Sequence, residues 1–395
     1  MIELLSPAGK MENLEFAIMY GADAVYFGGQ NYSLRANAQN FTLDEIDKAT
    51  RYAHENGKKV FVTVNIVFHN EDLNGLKDYL KELDRIGVDA IIASDITVIK
   101  YAKELKCSFD IHLSTQASTL NSMTVKFWQK LGVKRVVLAR EASRDDIISI
   151  KKDTGIDIES FIHGAMCCSF SGKCILSNYV TNRDSNRGGC AQICRWEFLI
   201  DKDNYMSIMP KDLNMVTFID DMIDIGVNSF KIEGRMRSIY YIATVILTYR
   251  RIIDKRVNKT ITQKDKMYYL NILNRCANRE STPQFYDKLP GYKEQYFNGR
   301  EEASNQDFLG LVLDYDKDSK IAKIEQRNFF KVGDKVQFFG PDIETSNYEI
   351  RSIKDEDYNE IDIARHPQMI VYMEVNIPLK YGDMMRLKVY DLNEF

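Results

Sequence analysis

No stretch of this chain stays apolar for the roughly 18–20 residues that a membrane-spanning helix needs. The amino terminus, MIELLSPAGK, has neither a basic start nor an apolar signal core behind it. The expectation is a soluble, cytoplasmic protein. Neither sign of charge is in large excess, and 53 Lys and Arg against 57 Asp and Glu leave a formal net charge of -4. A polyanion such as RNA then meets no global attraction, and contact with it falls to a local basic patch. The cysteines number seven, an odd count that argues against a disulfide framework. Catalytic signatures are also missing: there is no Gly-x-Ser-x-Gly elbow, no papain-like cysteine sequence and no His-Glu-x-x-His helix. The turns Ser6-Pro7-Ala8-Gly9 and Gly28-Gly29-Gln30 carry glycine without matching a phosphate-cradling fingerprint.

What is present is a rhythm. With 395 residues, 45% of them hydrophobic, the chain has room for one large domain and a smaller one. Short β-branched runs recur at Ile2–Ser6, Ala24–Gly28, Val60–Val67, Ala90–Ser94, Ile111–Gln116, Arg135–Arg140, Ile158–His163 and Ser229–Glu233. Amphipathic helical patterns lie between them, several closed by glycine at Gly57, Gly87, Gly132, Gly155 and Gly226. Eight βα units predict a TIM-type (β/α)8 barrel over 1–258, with a cysteine-rich insertion at about 163–212 after the seventh strand. A helical and irregular connector follows at 259–306. The short alternating runs of 307–395, parted by turns such as Val332-Gly333-Asp334, predict a small antiparallel β-barrel.

Barrels of this type build their sites at the carboxyl ends of the strands. Ser6, Asn65, Asp95, His112 with Ser114 and Gln116, Arg140 with Glu141, His163, and Lys231 with Glu233 and Arg235 all fall there. Arg35, in the long segment after the second strand, is placed to clamp a carboxylate with its planar fork.

Cys167, Cys174, Cys190 and Cys194 crowd into the insertion just behind His163-Gly164. Thiolates serve zinc and iron–sulfur clusters alike. The wide gap between Cys167 and Cys174, against the close pairs of structural zinc knuckles, favours a cluster and leaves zinc as the alternative.

The runs Glu159-Ser160-Phe161-Ile162-His163-Gly164-Ala165-Met166-Cys167 and Ser171-Gly172-Lys173-Cys174-Ile175-Leu176-Ser177 resemble the signature of the collagenase-like family catalogued as U32 peptidases. Leu4 through Gly9, Tyr20 through Tyr26, Tyr32-Ser33-Leu34-Arg35, His112 through Ala117, Cys194-Arg195-Trp196-Glu197 and Lys231 through Arg235 resemble its tRNA-hydroxylating branch. The resemblance runs through about Tyr286. It implies an enzyme that uses prephenate to make 5-hydroxyuridine at the wobble position of tRNA, with a 4Fe-4S cluster on Cys167, Cys174, Cys190 and Cys194. Cys168 stands outside those positions but is close enough in sequence to replace Cys167 as a ligand.

For that chemistry Arg35, Arg140 and Arg235 are the candidate carboxylate partners, with Gln116 beside them, and His112, His163 and Glu233 the candidate proton donors and acceptors. Arg237, Arg250, Arg251 and Arg256, with tyrosines interleaved, form the candidate RNA-binding helix for the tRNA anticodon region. Two other readings stand beside this one. A cysteine peptidase would pair Cys168 with His163, and a zinc-stabilised scaffold would bind RNA or protein without catalysis. The sequence leaves open a partner subunit or homo-oligomer.

Overall fold

A computed structural model describes residues 2–34, 40–276, 279–296, 306–387 and 390–391. Arg35 lies outside the described residues. Strands β1 (Glu3–Pro7), β2 (Ala24–Gly28), β3 (Lys59–Val64), β4 (Ala90–Ala93), β5 (Asp110–Leu113), β6 (Arg135–Val137), β7 (Asp157–Gly164) and β8 (Ser229–Ile232) pair in parallel in that order. β8 returns to β1, which closes the barrel. Val, Ile, Ala and Phe dominate these strands because both faces are covered, the outer one by helices.

The covering helices are α1 (Met11–Met19), α2 (Leu43–Glu55), α3 (Leu76–Ile86), α4 (Ile96–Glu104), α5 (Ser122–Lys130), α6 (Arg144–Thr154) and α7 (Ile219–Asp224). Local sequence sets their ends. Thr42 with Glu45 and Ser143 with Asp146 form reciprocal capping boxes, and Gly87 and Gly155 close α3 and α6 in the left-handed conformation. No helix among the described residues is long and apolar enough to cross a membrane.

After β8 the chain forms α8 (Ile239–Val257) and α9 (Gln263–Cys276). Every residue of α8 from Ile239 to Tyr249 is buried, the mark of a helix covered on all sides. The barrel covers one side and the C-terminal domain the other. That domain is an antiparallel sheet in the order 346–349, 335–339, 384–386, 308–316, 321–326, 370–374, 353–354, 360–361. Among the described residues its two edge strands do not pair with each other, so the sheet is a half-barrel rather than a closed one. The Tyr240 ring stacks on Phe308 at 5.0 Å, and Tyr20 Oη donates to Gly382 O at 2.7 Å. Gly382 has φ +91° and a Cβ there would meet Met19 Sδ at 2.4 Å, so the docking point admits only glycine.

Candidate active site

A cavity of about 380 Å³ opens at the carboxyl ends of the barrel strands. Tyr26, Thr63, Ile92, Val137 and Phe161 form its floor; Asn65, Ser114, Gln116, Arg140, Lys231, Glu233 and Arg235 line it with polar groups. The insertion supplies the opposite wall, including Met166, Cys167, Ser171, Cys190 and Cys194. Seven of the polar residues expected at strand ends therefore meet in one space. Asp95 is instead the cap of α4, accepting from Thr97 N at 2.7 Å. Glu141 accepts from Ser171 N and Oγ at 2.7 and 2.6 Å and so fixes the first turn of the insertion.

Lys231 is the residue that sequence reasoning underrated. Its Nζ lies 2.7 Å from Glu159 Oε1 and 4.2 Å from the centroid of the Tyr26 ring. Burial pulls its pKa down while Glu159 opposes the shift. A lysine between apolar neighbours in a barrel strand was the signal available, since such a residue is seldom buried without a partner. Glu159 also faces Arg135 at 3.4 Å, and Arg135 pairs with Glu3 below the cavity. Arg140 lies 4.2 Å over the Phe161 ring, donates to Ala165 O at 2.9 Å and faces Glu233 at 3.9 Å. Tyr26 Oη is 3.2 Å from Glu233 Oε2. Arg235 donates to Ser33 Oγ at 3.1 Å and to Leu34 O, holding the chain just ahead of Arg35.

Three cysteines, Cys167, Cys190 and Cys194, face the cavity. Cys174 is near all three: burial raises its pKa, and their charges add to the effect. The Cys168 thiol donates to Cys167 and Cys194, holding Cys167 down to about 5 and Cys194 to about 7 while its own pKa is driven up. Side chains fix the backbone that carries these thiols. Asn186 accepts from Cys174 N at 3.2 Å and donates to Cys174 O at 2.9 Å, and Ser207 Oγ donates to Cys194 O at 3.4 Å. Among the described residues no three His, Cys, Asp or Glu side chains already converge on a single ion. The donor set, three thiols on the cavity wall with Cys174 near them and Cys168 as hydrogen-bond donor, fits a group that takes thiolates at separated points.

The two histidines expected to move protons are not in the cavity. His112 points into the barrel interior beneath it, its ring edge against Phe61 at 4.7 Å, and Nδ1 has no hydrogen-bond partner among the described residues. Burial, with Arg135 and Lys231 nearby, keeps it neutral. His163 points the other way, toward α8, with Nδ1 3.3 Å from Tyr249 Oη, and burial lowers its pKa to about 3. A β-bulge causes this turn. β8 residues Lys231 and Ile232 face Phe161 and His163, so Ile162 is an extra residue and the inward face shifts by one. Gly164 follows at φ +110°, where a Cβ would strike Glu233 O at 2.3 Å.

The cationic helix does not present the basic face expected of it. Arg250 bridges Asp23 at 2.9 Å and Asp254 at 2.8 Å, and its stem packs on Gly21. Arg251 donates to Gly340 O, Ile343 O and Thr345 Oγ1 of the C-terminal domain at 3.1, 2.9 and 3.0 Å. Arg256 pairs with Asp224, and Arg237 lies over the Tyr241 ring at 4.9 Å. Arg251 is taken up by carbonyls of the second domain because α8 lies between the two domains, Arg250 is held by Asp23 of the barrel, and Arg256 makes a surface pair.

The sequence model of peptidase family U32 matches residues 9–296, and that of the U32 C-terminal domain matches 304–386. The chain belongs to the U32 family. Among U32 relatives, the tRNA hydroxylation protein P1 of Bacillus subtilis is 46% identical over 97% of this chain and 94% of its own. The collagenase of Porphyromonas gingivalis is 33% identical over 89% of this chain and 91% of its own. The 23S rRNA 5-hydroxycytidine C2501 synthase of Escherichia coli is 33% identical over 73% of this chain and 46% of its own. The family name raises the cysteine-peptidase geometry directly. Here His163 is on the outer side of β7 against Tyr249 and Tyr241, so it does not serve as the base for Cys168.

Proposed function

We propose that this U32 protein is an RNA-modifying enzyme that hydroxylates the wobble uridine of tRNA to 5-hydroxyuridine, with prephenate as co-substrate. A 4Fe-4S cluster on Cys167, Cys174, Cys190 and Cys194 belongs to the same reading. One observation carries it: the cysteine wall and the cationic side chains Arg140 and Lys231 line a single cavity. Its volume lies within the range of small-molecule sites. The near-full-length likeness to a tRNA hydroxylation protein supports the same substrate class.

The cluster, when bound, supplies one-electron redox chemistry that no side chain offers. The chain's own residues bind and orient. Arg140 and Lys231 offer positive charge to the two carboxylates of prephenate, and burial strengthens that attraction by removing water. Glu233, held beside Tyr26 and Arg140, is the cavity carboxylate placed to accept a proton. Gln116 lines the same space and offers both a donor and an acceptor to a base edge. Arg235 keeps the segment before Arg35 closed over the barrel.

Mass analysis of tRNA nucleosides from a deletion strain tests the proposal. Loss of 5-hydroxyuridine, restored by the wild-type chain but not by Arg140→Ala, is the expected result. An unchanged 5-hydroxyuridine level in the deletion strain overturns it. Stoichiometric zinc without iron in anaerobically purified protein would favour the scaffold reading instead.

A further inference from the structure

We propose that the cysteine-bearing insertion, rather than α8, is the RNA-docking surface: single-stranded RNA flanking the target base lies across the exposed aromatic and basic face of residues 170–205. This rests on the RNA-hydroxylase reading and adds to it the surface that holds the substrate.

Exposed apolar side chains are concentrated there. Of 23 large hydrophobic residues with exposed side chains among the described residues, eight fall between Phe170 and Tyr205. That segment is less than a tenth of the chain, so about two would be expected from an even spread. A loop that folds only to seal a cavity turns such residues inward; this one turns Tyr179 outward at 83% exposure and Trp196 at 46%. The helix Leu176–Thr181, which carries Tyr179, packs on the turn Ile193–Arg195, which Trp196 follows directly. Beyond Trp196 the ribbon Phe198–Leu199 and Tyr205–Met206 sets Leu199 opposite Tyr205, and both remain exposed. This surface borders the cavity: Arg195 and Ser171, which line it, directly adjoin Trp196 and Phe170.

Charge selects the occupant. Across 170–205 the chain has five basic and four acidic residues, and the basic ones gather at 170–196, where four face one acidic residue, whereas the whole chain carries -4. Lys173 and Arg183 are exposed on that face. Aromatic rings for stacking, with cations between them for phosphates, are the requirements of single-stranded RNA. A base presented to the cavity must leave its stack, and rings beside the mouth compensate its neighbours for the stacking they lose. Arg250 and Arg251 of α8 are already engaged, the first by Asp23 and the second by carbonyls of the C-terminal domain.

The test uses the full chain purified anaerobically, a fluorescent anticodon stem-loop hairpin, and a blunt duplex of the same stem. Tyr179→Ala and Trp196→Ala should each weaken hairpin binding by about tenfold, with duplex binding unaffected. Arg183→Glu, which removes no packed side chain, should weaken hairpin binding and lower its salt dependence. Unchanged hairpin affinity in all three variants overturns the proposal. So does a shift from dimer to monomer with hairpin affinity retained, which would assign the face to a second copy. The parent reading fails separately: hairpin binding that depends on these residues, beside intact 5-hydroxyuridine in a deletion strain, would leave the surface standing and remove the hydroxylase.

Discussion

Lys231 Nζ lies 2.7 Å from Glu159 Oε1 at the base of the cavity, and both side chains are closed to solvent. The pair is unequal, because Glu159 also faces Arg135 while Lys231 has Glu159 as its close carboxylate. Removing one member of a buried ion pair costs roughly 3–5 kcal/mol by stranding the other charge. Glu159→Gln strands Lys231 and takes one carboxylate from Arg135, which keeps Glu3, and should destabilise more than Lys231→Met, which leaves the glutamate with Arg135. Urea unfolding measures the order. Equal losses would show that Arg135 does not share the carboxylate.

The cysteines divide into two groups with different expected outcomes. Alanine at Cys167, Cys174, Cys190 or Cys194 should bleach the cluster absorbance and lower the iron content of anaerobically purified protein. Cys168→Ala should keep its iron, because that thiol serves as hydrogen-bond donor to Cys167 and Cys194 and stands outside the proposed ligand set. Cys107→Ala and Cys276→Ala should also keep it, Cys276 being buried at the end of α9. Full iron in Cys190→Ala would remove that residue from the ligand set.

The barrel was legible because each strand is a short apolar run closed by a turn, and covered strands require that composition. The insertion was legible from its cysteines. Which way a side chain points was not, because it depends on register. Alternation from Glu159 through Phe161 sends His163 into the cavity, and the single extra residue at Ile162 reverses it. Nothing in the composition of that run reveals the bulge. Lys231, on the partner strand, keeps its alternation and reaches the cavity.

His163 gives the protein a defined acid sensitivity. Its folded value is depressed to about 3 from 6.5 by burial. As pH falls, the unfolded chain binds a proton near 6.5 that the folded chain refuses until about 3. Stability from this residue is therefore complete above about 6.5 and is lost through that window, at up to about 1.4 kcal/mol per pH unit. His163→Gln should flatten the slope of unfolding free energy between pH 6 and 4 measured by urea titration. His112, neutral for the same reason, keeps part of the slope. A variant with the wild-type slope would show that His163 is not the group responsible.

The helix α8 shows the other limit of sequence reasoning. Its arginines read as a solvated basic face because the sequence does not reveal that a second domain packs against it. Arg251 meets three oxygens of that domain, at Gly340, Ile343 and Thr345. Hydrogen bonds from a charged donor contribute about 1.5–3 kcal/mol each when buried, but deleting the whole side chain frees the carbonyls to take up water. Arg251→Ala should therefore lower stability by about 2–4 kcal/mol, within the range for breaking a buried polar network. Arg250→Glu with Arg251→Glu should do worse, placing a carboxylate beside Asp23 and another against backbone carbonyls. The readout is calorimetric unfolding, with hairpin binding followed at temperatures where the variants remain folded. A double variant that keeps its melting temperature yet loses RNA would return the docking surface to α8.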